Sequence, residues 1–325
     1  MANDTQPLVS VILPTYKRPE FVKRAIQSVL DQTYQNFELI VVDDAPDMPS
    51  EVSVKSFTDP RVQYVRHEKN KGCAGAKNTG FRMAKGKYFA ILDDDDAWEK
   101  EKLEIQVRAM EAAPQDVGFS FTAVTEVFDG GENITSVPEG IADYHDFILS
   151  KFNGALSVTL MFRREVFEKS GYMNETFPTH TDAELLIRVT KYFKGLAINT
   201  PLVRVTLNKK GHEHMNSSMR KRITGRIMIL TKYWPEFKER PEYLARHLTN
   251  LARFYRDDGY YKEARKTYGK ALELHYASKR AWQYRSMVMR GLPFQIFRFL
   301  KGAHVPAFKE VPSDLPKLSD LPWNE

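Results

Sequence analysis

Short apolar runs alternate with amphipathic stretches through the first two hundred residues. Residues 9–13, 37–42, 62–65 and 88–92 (VSVIL, FELIVV, VQYV and YFAIL) are rich in β-branched or aromatic residues and have the length of buried strands. Residues 20–30, 74–85 and 99–113 carry helical periodicity between them, and Pro114 closes the last. Residues 118–129 and 156–162 read as further strands, 130–140 as a turn-rich surface loop, and 182–192 as a helix. This alternation predicts an α/β fold: a mostly parallel sheet covered by helices on both faces. Ligands of such sheets bind at the carboxyl ends of the strands. The acidic runs Asp43-Asp44 and Asp93–Asp96 directly follow two strands, where that rule places a site.

The pattern changes after a polar stretch at 211–218. From there to about residue 290 it is wholly helical, and 306–325 holds four prolines and reads as an extended or disordered tail. The expected division is therefore a sheet domain over 1–215, a helical region over 216–305, and the tail. Within the helical region, 251–274 resembles a tetratricopeptide hairpin. Ala252, Ala264 and Ala271 allow close helix approach and Gly259 makes the turn, although the usual closing proline is absent. One such unit cannot bury its apolar face alone, so it should pack on neighbouring helices, on the sheet domain or on a second copy of the chain.

Composition narrows the class. With 42% hydrophobic and 28% charged residues this is an ordinary globular chain, and no apolar run approaches the roughly 20 residues of a membrane span. Residues 1–7 are polar and lack the basic-then-apolar pattern of an export signal. Cys73 is the only cysteine, which fits a reducing cytoplasm. The net charge of +6 is unevenly spread: residues 207–303 hold 22 Lys/Arg against 8 Asp/Glu, or +14, leaving −8 elsewhere. A basic third of this kind suits an anionic lipid surface or a pyrophosphate-bearing acceptor, or is simply a solvated helical surface. The segment 292–300 (LPFQIFRFL) adds a short apolar stretch suited to a membrane surface or to packing. No nucleic-acid recognition motif accompanies the charge, so nucleic acid is not an expected partner.

Four consecutive carboxylates after a buried strand need a reason, because like charges repel. On an extended segment Asp93 and Asp95 point the same way, and hard oxygen ligands suit Mg2+ or Mn2+; the alternative is a solvated acidic turn. Asp43 and Asp44 are either turn and cap residues or acceptors for a nucleobase and ribose. The turn after the first strand, Pro14-Thr15-Tyr16-Lys17-Arg18, has the makings of a nucleotide-binding edge. Asp182 opens a helix, either as a first-turn acid favoured by the helix dipole or as a base aimed into a cleft. Arg220, Lys221 and Arg222 either clamp a diphosphate or form an exposed helix face.

Three of these segments together, 9–45 (VSVILPTYKRPEFVKRAIQSVLDQTYQNFELIVVDDA), 70–98 (NKGCAGAKNTGFRMAKGKYFAILDDDDAW) and 181–188 (TDAELLIR), resemble glycosyltransferase family 2 over roughly residues 8–210. The resemblance implies a GT-A, nucleotide-diphospho-sugar transferase fold and an inverting, metal-dependent sugar transfer. It implies that Asp43 and Asp44 bind uracil and ribose, together with the Pro14, Thr15, Tyr16 and Arg18 edge. Lys77 and Asn78 would lie near the nucleotide. Asp93 and Asp94 would meet the sugar diphosphate, with Asp95 and Asp93 holding Mn2+ or Mg2+. Asp182 would be the general base, and His212 or His214 a further metal ligand. Two departures stand out: Ala45-Pro46 replaces the usual Gly-Ser, and Thr181 replaces a Glu, which leaves Glu184 as a rival base. The implied donor is a UDP-sugar, and the implied acceptor a glycan or lipid-linked hydroxyl in bacterial surface polysaccharide synthesis. A nucleotidyltransferase would need a glycine-rich phosphate loop, which residues 14–18 lack. A non-catalytic nucleotide-sugar-binding scaffold acting through its helices is the alternative reading.

Overall fold

The computed structural model describes residues 6–150, 154–207, 218–275 and 309–323. The chain divides into two compact units. One comprises 1–148, 152–175 and 181–212, and the other 149–151, 176–180 and 213–325.

The first unit is built on a ten-stranded sheet: β1 (Val9–Thr15), β2 (Phe37–Asp43), β3 (Val62–Arg66), β4 (Tyr88–Ile91), β5 (Ala97–Trp98), β6 (Val117–Phe128), β7 (Gly131–Thr135), β8 (Gly140–Ala142), β9 (Met161–Arg163) and β10 (Lys194–Thr206). Its helices are α1 (Phe21–Leu30), α2 (Glu51–Lys55), α3 (Gly72–Met83), α4 (Lys102–Ala112), α6 (Glu165–Ser170) and α7 (Thr181–Val189); α5 (His145–Ser150) straddles the division between the units. The strand order is β3-β2-β1-β4-β9-β6-β10-β5, with β7 on β6 and β8 on β10. Strands β3, β2, β1 and β4 are parallel, as are β6 and β10, whereas β9 runs antiparallel between β4 and β6. Every residue of β1 and β2 is buried, which is why both read as unbroken apolar runs rather than alternating ones. Helix α1 covers them with Val22, Ala25, Ile26 and Val29, the i, i+3, i+4, i+7 stripe of an amphipathic helix. Helix α3 lies closer still. A Cβ at Gly80 would stand 2.5 Å from Ile12 Cγ2 on β1, so only glycine permits that approach.

Two stretches depart from expectation. Residues 130–140 are not a plain loop. Gly130, at φ +105°, turns the chain so that β7 pairs back on β6, and β8 begins at Gly140. Over 156–162 a 3-10 helix spans Gly154–Thr159, and only Met161–Arg163 is strand; the apolar composition there served burial in either geometry. The short elements α2, β5, α5 and α6 carry too few residues to show a period.

The second unit holds α8 (Met219–Lys232), α9 (Trp234–Lys238), α10 (Pro241–Asp257) and α11 (Tyr261–Leu274). Helices α10 and α11 pack on each other over 241–274, with Ala252, Ala264 and Ala271 buried. The short segments assigned to this unit are bonded into it. His247 Nε2–H donates to the Leu149 carbonyl at 2.6 Å, and Thr179 Oγ1 donates to the Lys221 carbonyl at 3.1 Å. Over 309–323 the proline-rich tail is neither extended nor disordered but runs through turns and a short 3-10 helix at Leu318–Asp320. Lys309 N–H donates to the Gly259 carbonyl (3.0 Å), Tyr255 OH to the Pro316 carbonyl (2.5 Å) and Leu318 N–H to Glu263 Oε1 (3.1 Å). Leu315 and Leu321 are buried, and the Trp323 ring meets Trp234 edge-on at 5.0 Å. The chain's own tail thus covers part of the face that a lone hairpin would expose. Among the described residues no helix is long and apolar enough to cross a membrane. The readings of 211–217, of helix beyond 275 and of the apolar segment 292–300 lie outside the described residues.

Candidate active site

The parallel register sets Thr15, the last residue of β1, beside Asp43, the last of β2, and Asp44 N–H donates to the Thr15 carbonyl at 2.9 Å. On the other side of β1, the chain leaving β4 carries Asp93–Asp96 to the same end of the sheet. The acidic run is a turn rather than an extended segment: Asp96 N–H donates to the Asp93 carbonyl at 3.2 Å. The four carboxylates therefore fan out to different partners. Asp94 accepts from Thr15 Oγ1 at 2.7 Å and from Arg18 Nη1 at 3.2 Å. Asp95 takes the same Arg18 nitrogen at 2.9 Å. Asp96 accepts the Thr206 N–H at 3.1 Å, which ties the end of β10 to the turn. Asp93 pairs with Lys77 at 3.3 Å.

Lys77 is the centre of the arrangement. It lies on α3 and is almost completely buried, and its ammonium reaches Asp93, Asp182 Oδ1 (3.2 Å) and Ser157 Oγ (3.0 Å). Burial opposes its charge, but Asp182 and Asp93 hold its pKa well above the ordinary lysine value. Asp182, in the first turn of α7, keeps a quarter-exposed side chain. Its rival Glu184 is wholly buried and held by Arg188 at both oxygens, 3.0 and 2.8 Å. Asn78, next to Lys77, is bonded to residues 173–175. Its amide donates to the Met173 carbonyl and Glu175 and accepts the Met173 N–H, so it clamps residues 173–175.

Asp43 and Asp44 are also engaged by the protein. Asp43 accepts from Ala45 N–H (3.0 Å), Ser50 N–H (2.5 Å) and Tyr64 OH (2.9 Å), shaping the loop after β2. Asp44 accepts the Lys71 and Gly72 N–H groups at the start of α3 (2.7 and 2.8 Å), an anion at a helix N-terminus. It also pairs with His67 Nδ1 at 2.8 Å, and His67 Nε2 meets Thr79 Oγ1 at 2.9 Å. Pro14 is buried at the edge, Tyr16 and Arg18 are half-buried, and Lys17 adopts φ +56° at the turn between β1 and α1. Sequence reasoning missed Ser157, His67 and Arg24, whose guanidinium reaches the Asp95 carbonyl and Thr206 Oγ1. None carries a local signal, since each partner is remote in sequence. In the helical unit Arg220 pairs with Asp314, and Arg222 stacks over Phe254 at 5.9 Å. His212 and His214 lie outside the described residues.

The electrostatics suit a cation. Burial, and then the neighbouring Asp95, push Asp94 up to about 7 against the opposing effects of Thr15 and Arg18. Burial and adjacent carboxylates also raise Asp93 and Asp96. Asp93 Oδ1 is buried, and its partner is the Lys77 ammonium at 3.3 Å. Among the described residues no three carboxylate, histidine or cysteine groups already enclose a cation position. Asp95 and Asp93, the more exposed members of the turn, are the residues fitted to hold one.

Strand order, acidic turn and buried lysine together define a GT-A, nucleotide-diphospho-sugar transferase type of α/β domain. Residues 10–171, which carry most of the sheet-bearing unit, match the model of Glycosyl transferase family 2. A putative teichuronic acid biosynthesis glycosyltransferase, TuaG of Bacillus subtilis (strain 168), is 34% identical over 160 residues, covering 48% of this chain and 62% of TuaG. The UDP-Glc:alpha-D-GlcNAc-diphosphoundecaprenol beta-1,3-glucosyltransferase WfgD of Escherichia coli is 43% identical over 103 residues, 32% of this chain and 41% of WfgD. The chain spans 22% to 62% of the length of the first curated relatives it matches. Among solved structures, S. aureus TarS 1–349 superposes with a TM-score of 0.61 at 17% identity, covering 88% of this chain and 92% of TarS 1–349. The mannosyltransferase PcManGT of Pyrobaculum calidifontis, in complex with GDP-Man and Mn2+, gives 0.55 at 18% identity, covering 92% and 84%. At these identities the two structures speak to the fold.

Proposed function

We propose that the protein is an inverting glycosyltransferase that moves a sugar from a UDP-sugar to a hydroxyl of a glycan or lipid-linked acceptor. The observation that carries this reading is the buried Lys77 ammonium, held between Asp93 of the acidic turn and Asp182 of α7. It links the group expected at the donor diphosphate to the group expected at the acceptor. The relatives lend the substrates: WfgD is named for UDP-Glc and a diphosphoundecaprenol-linked acceptor, and TarS 1–349 has been solved in complex with UDP-GlcNAc.

Pro14, Thr15 and Tyr16 line the nucleotide edge, with Asp43 and Asp44 fixing the loops around it. Asp182 takes the proton of the acceptor hydroxyl. That oxygen bonds to the anomeric carbon from the face opposite the diphosphate, while the carbon–oxygen bond to phosphate breaks and its electron pair leaves with UDP. Lys77, 3.2 Å away, keeps Asp182 aimed. A divalent cation on Asp95 and Asp93 would neutralise charge on the departing diphosphate, as the Mn2+ bound to PcManGT suggests.

Calorimetry with UDP, with and without Mn2+, tests the donor half, with tighter binding in Mn2+ expected. UDP release from a panel of UDP-sugars, with and without glycan acceptors, tests the transfer. A protein that binds UDP yet releases none from any donor would be a nucleotide-sugar-binding scaffold instead.

A further inference from the structure

Arg18 reaches two carboxylates of the acidic turn at once. A guanidinium normally meets a carboxylate with two parallel N–H groups. Here one nitrogen, Nη1, lies 3.2 Å from Asp94 Oδ1 and 2.9 Å from Asp95 Oδ2, bridging two carboxylates as a point charge would. All three side chains are largely withdrawn from water, with relative exposures of 11%, 1% and 13%. The Arg18 backbone is fixed, since its carbonyl accepts the Phe21 and Val22 N–H groups that start α1. The cation therefore extends from an anchored backbone to a place beside the residues fitted to hold a metal. Asp93–Asp96 and Asp182 bring five carboxylates together, and among the described residues Arg18, Lys77 and Arg24 stand against them. One of the turn's key oxygens, Asp95 Oδ2, is thus already taken by a protein cation.

We propose that Arg18 is a resident counter-ion of the acidic turn, one that a divalent cation must displace from Asp95, and that the freed guanidinium then engages the donor's diphosphate. The inference rests on the donor-binding reading above and assigns Arg18 a positioning part in it. Planar guanidinium groups match phosphate oxygens well, so a bound nucleotide offers Arg18 a new partner at the moment it loses the old one. Metal and nucleotide then assist each other, and by linkage each tightens the other by the same factor.

The test uses the full chain and two probes, Mn2+ alone and UDP. Free Mn2+ is followed by electron paramagnetic resonance, so no turnover is needed. In the unmodified protein Mn2+ alone should bind weakly, and saturating UDP should tighten it, within the roughly 5–150-fold range of such couplings. Arg18→Gln should tighten Mn2+ alone by about threefold or more and shrink the UDP effect to less than about threefold; Arg18→Lys should keep Mn2+ alone weak. If Arg18→Gln binds Mn2+ alone no better than the unmodified protein while melting at the same temperature, the counter-ion role is wrong. Should Arg18→Gln not fold, an Arg18→Lys protein that binds Mn2+ alone more tightly than the unmodified chain overturns the proposal too. The Mn2+-only arm is independent of the donor. If UDP and GDP leave Mn2+ affinity unchanged in every protein, the donor reading fails, and with it the guanidinium's second partner.

Discussion

Asp44 and Asp182 are both carboxylates at helix starts, but their surroundings ask different things of them. Asp44 is buried and accepts two backbone N–H groups and a histidine, so its oxygens hold the start of α3 in place. Asp44→Ala should lower stability by about 2–4 kcal/mol, because buried donors left without an acceptor cost about 1–3 kcal/mol each; a urea midpoint within error of the unmodified protein would contradict this. Asp182 keeps access to solvent and shares one cation. Asp182→Asn should leave UDP affinity nearly unchanged and reduce turnover by roughly 10²–10⁴, as steady-state UDP release would show; a loss of only a few-fold would remove it as the base. The acids of this site were legible in the sequence because a buried strand that runs straight into a row of like charges needs a partner to offset their repulsion. The partners themselves were not legible. Lys77 meets Ser157 and Asp182 across 80 and 105 residues, a proximity that no local pattern encodes.

Helix α3 carries Lys77 on a face pressed against β1, and Gly80 sets the spacing. Gly80→Ala should force α3 outward, costing about 1–3 kcal/mol as overpacking does. It should also weaken UDP binding, because the helix moves with its lysine. A variant as stable as the parent, with unchanged UDP affinity, would show that the contact yields. At this scale the sequence was read best where elements are long. The strands β1, β2, β4 and β6 and the helices α1, α3 and α4 all fall within a few residues of expectation. The misreadings lie where a run is apolar but short, as in the 3-10 turn at Gly154–Thr159, or where a tight turn hides a hairpin, as at Gly130. The order of the inner strands, with β9 between β4 and β6, depends on pairing between distant segments and left no trace in the local pattern.

The helical unit should be the part most sensitive to acid. Within it His247 donates from Nε2 to a carbonyl and accepts Arg226 Nη1 at Nδ1 (2.7 Å), so it is held neutral. Burial and then Arg226 depress the pKa values of His247 and His180 well below the ordinary 6.5. Below that value the unfolded chain binds more protons than the folded one, so stability is full above about pH 6.5 and falls as pH drops. The urea midpoint should be lower at about pH 5 than at about pH 7.5, and His247→Asn should narrow the difference; a midpoint equal at both would exclude the effect. Removing residues 309–325 should expose apolar surface under Leu315, Leu321 and Trp323 and lower the melting temperature, read by calorimetry. An unchanged melting temperature would mean that the tail contributes nothing to stability. The two units are also interleaved along the chain, since 149–151 and 176–180 belong with the helices that follow residue 213. A single recombination breakpoint near residue 213 would therefore not exchange one whole module for another. It would strand two short inserts of the old gene inside the new product, so a productive graft has to carry all three pieces together.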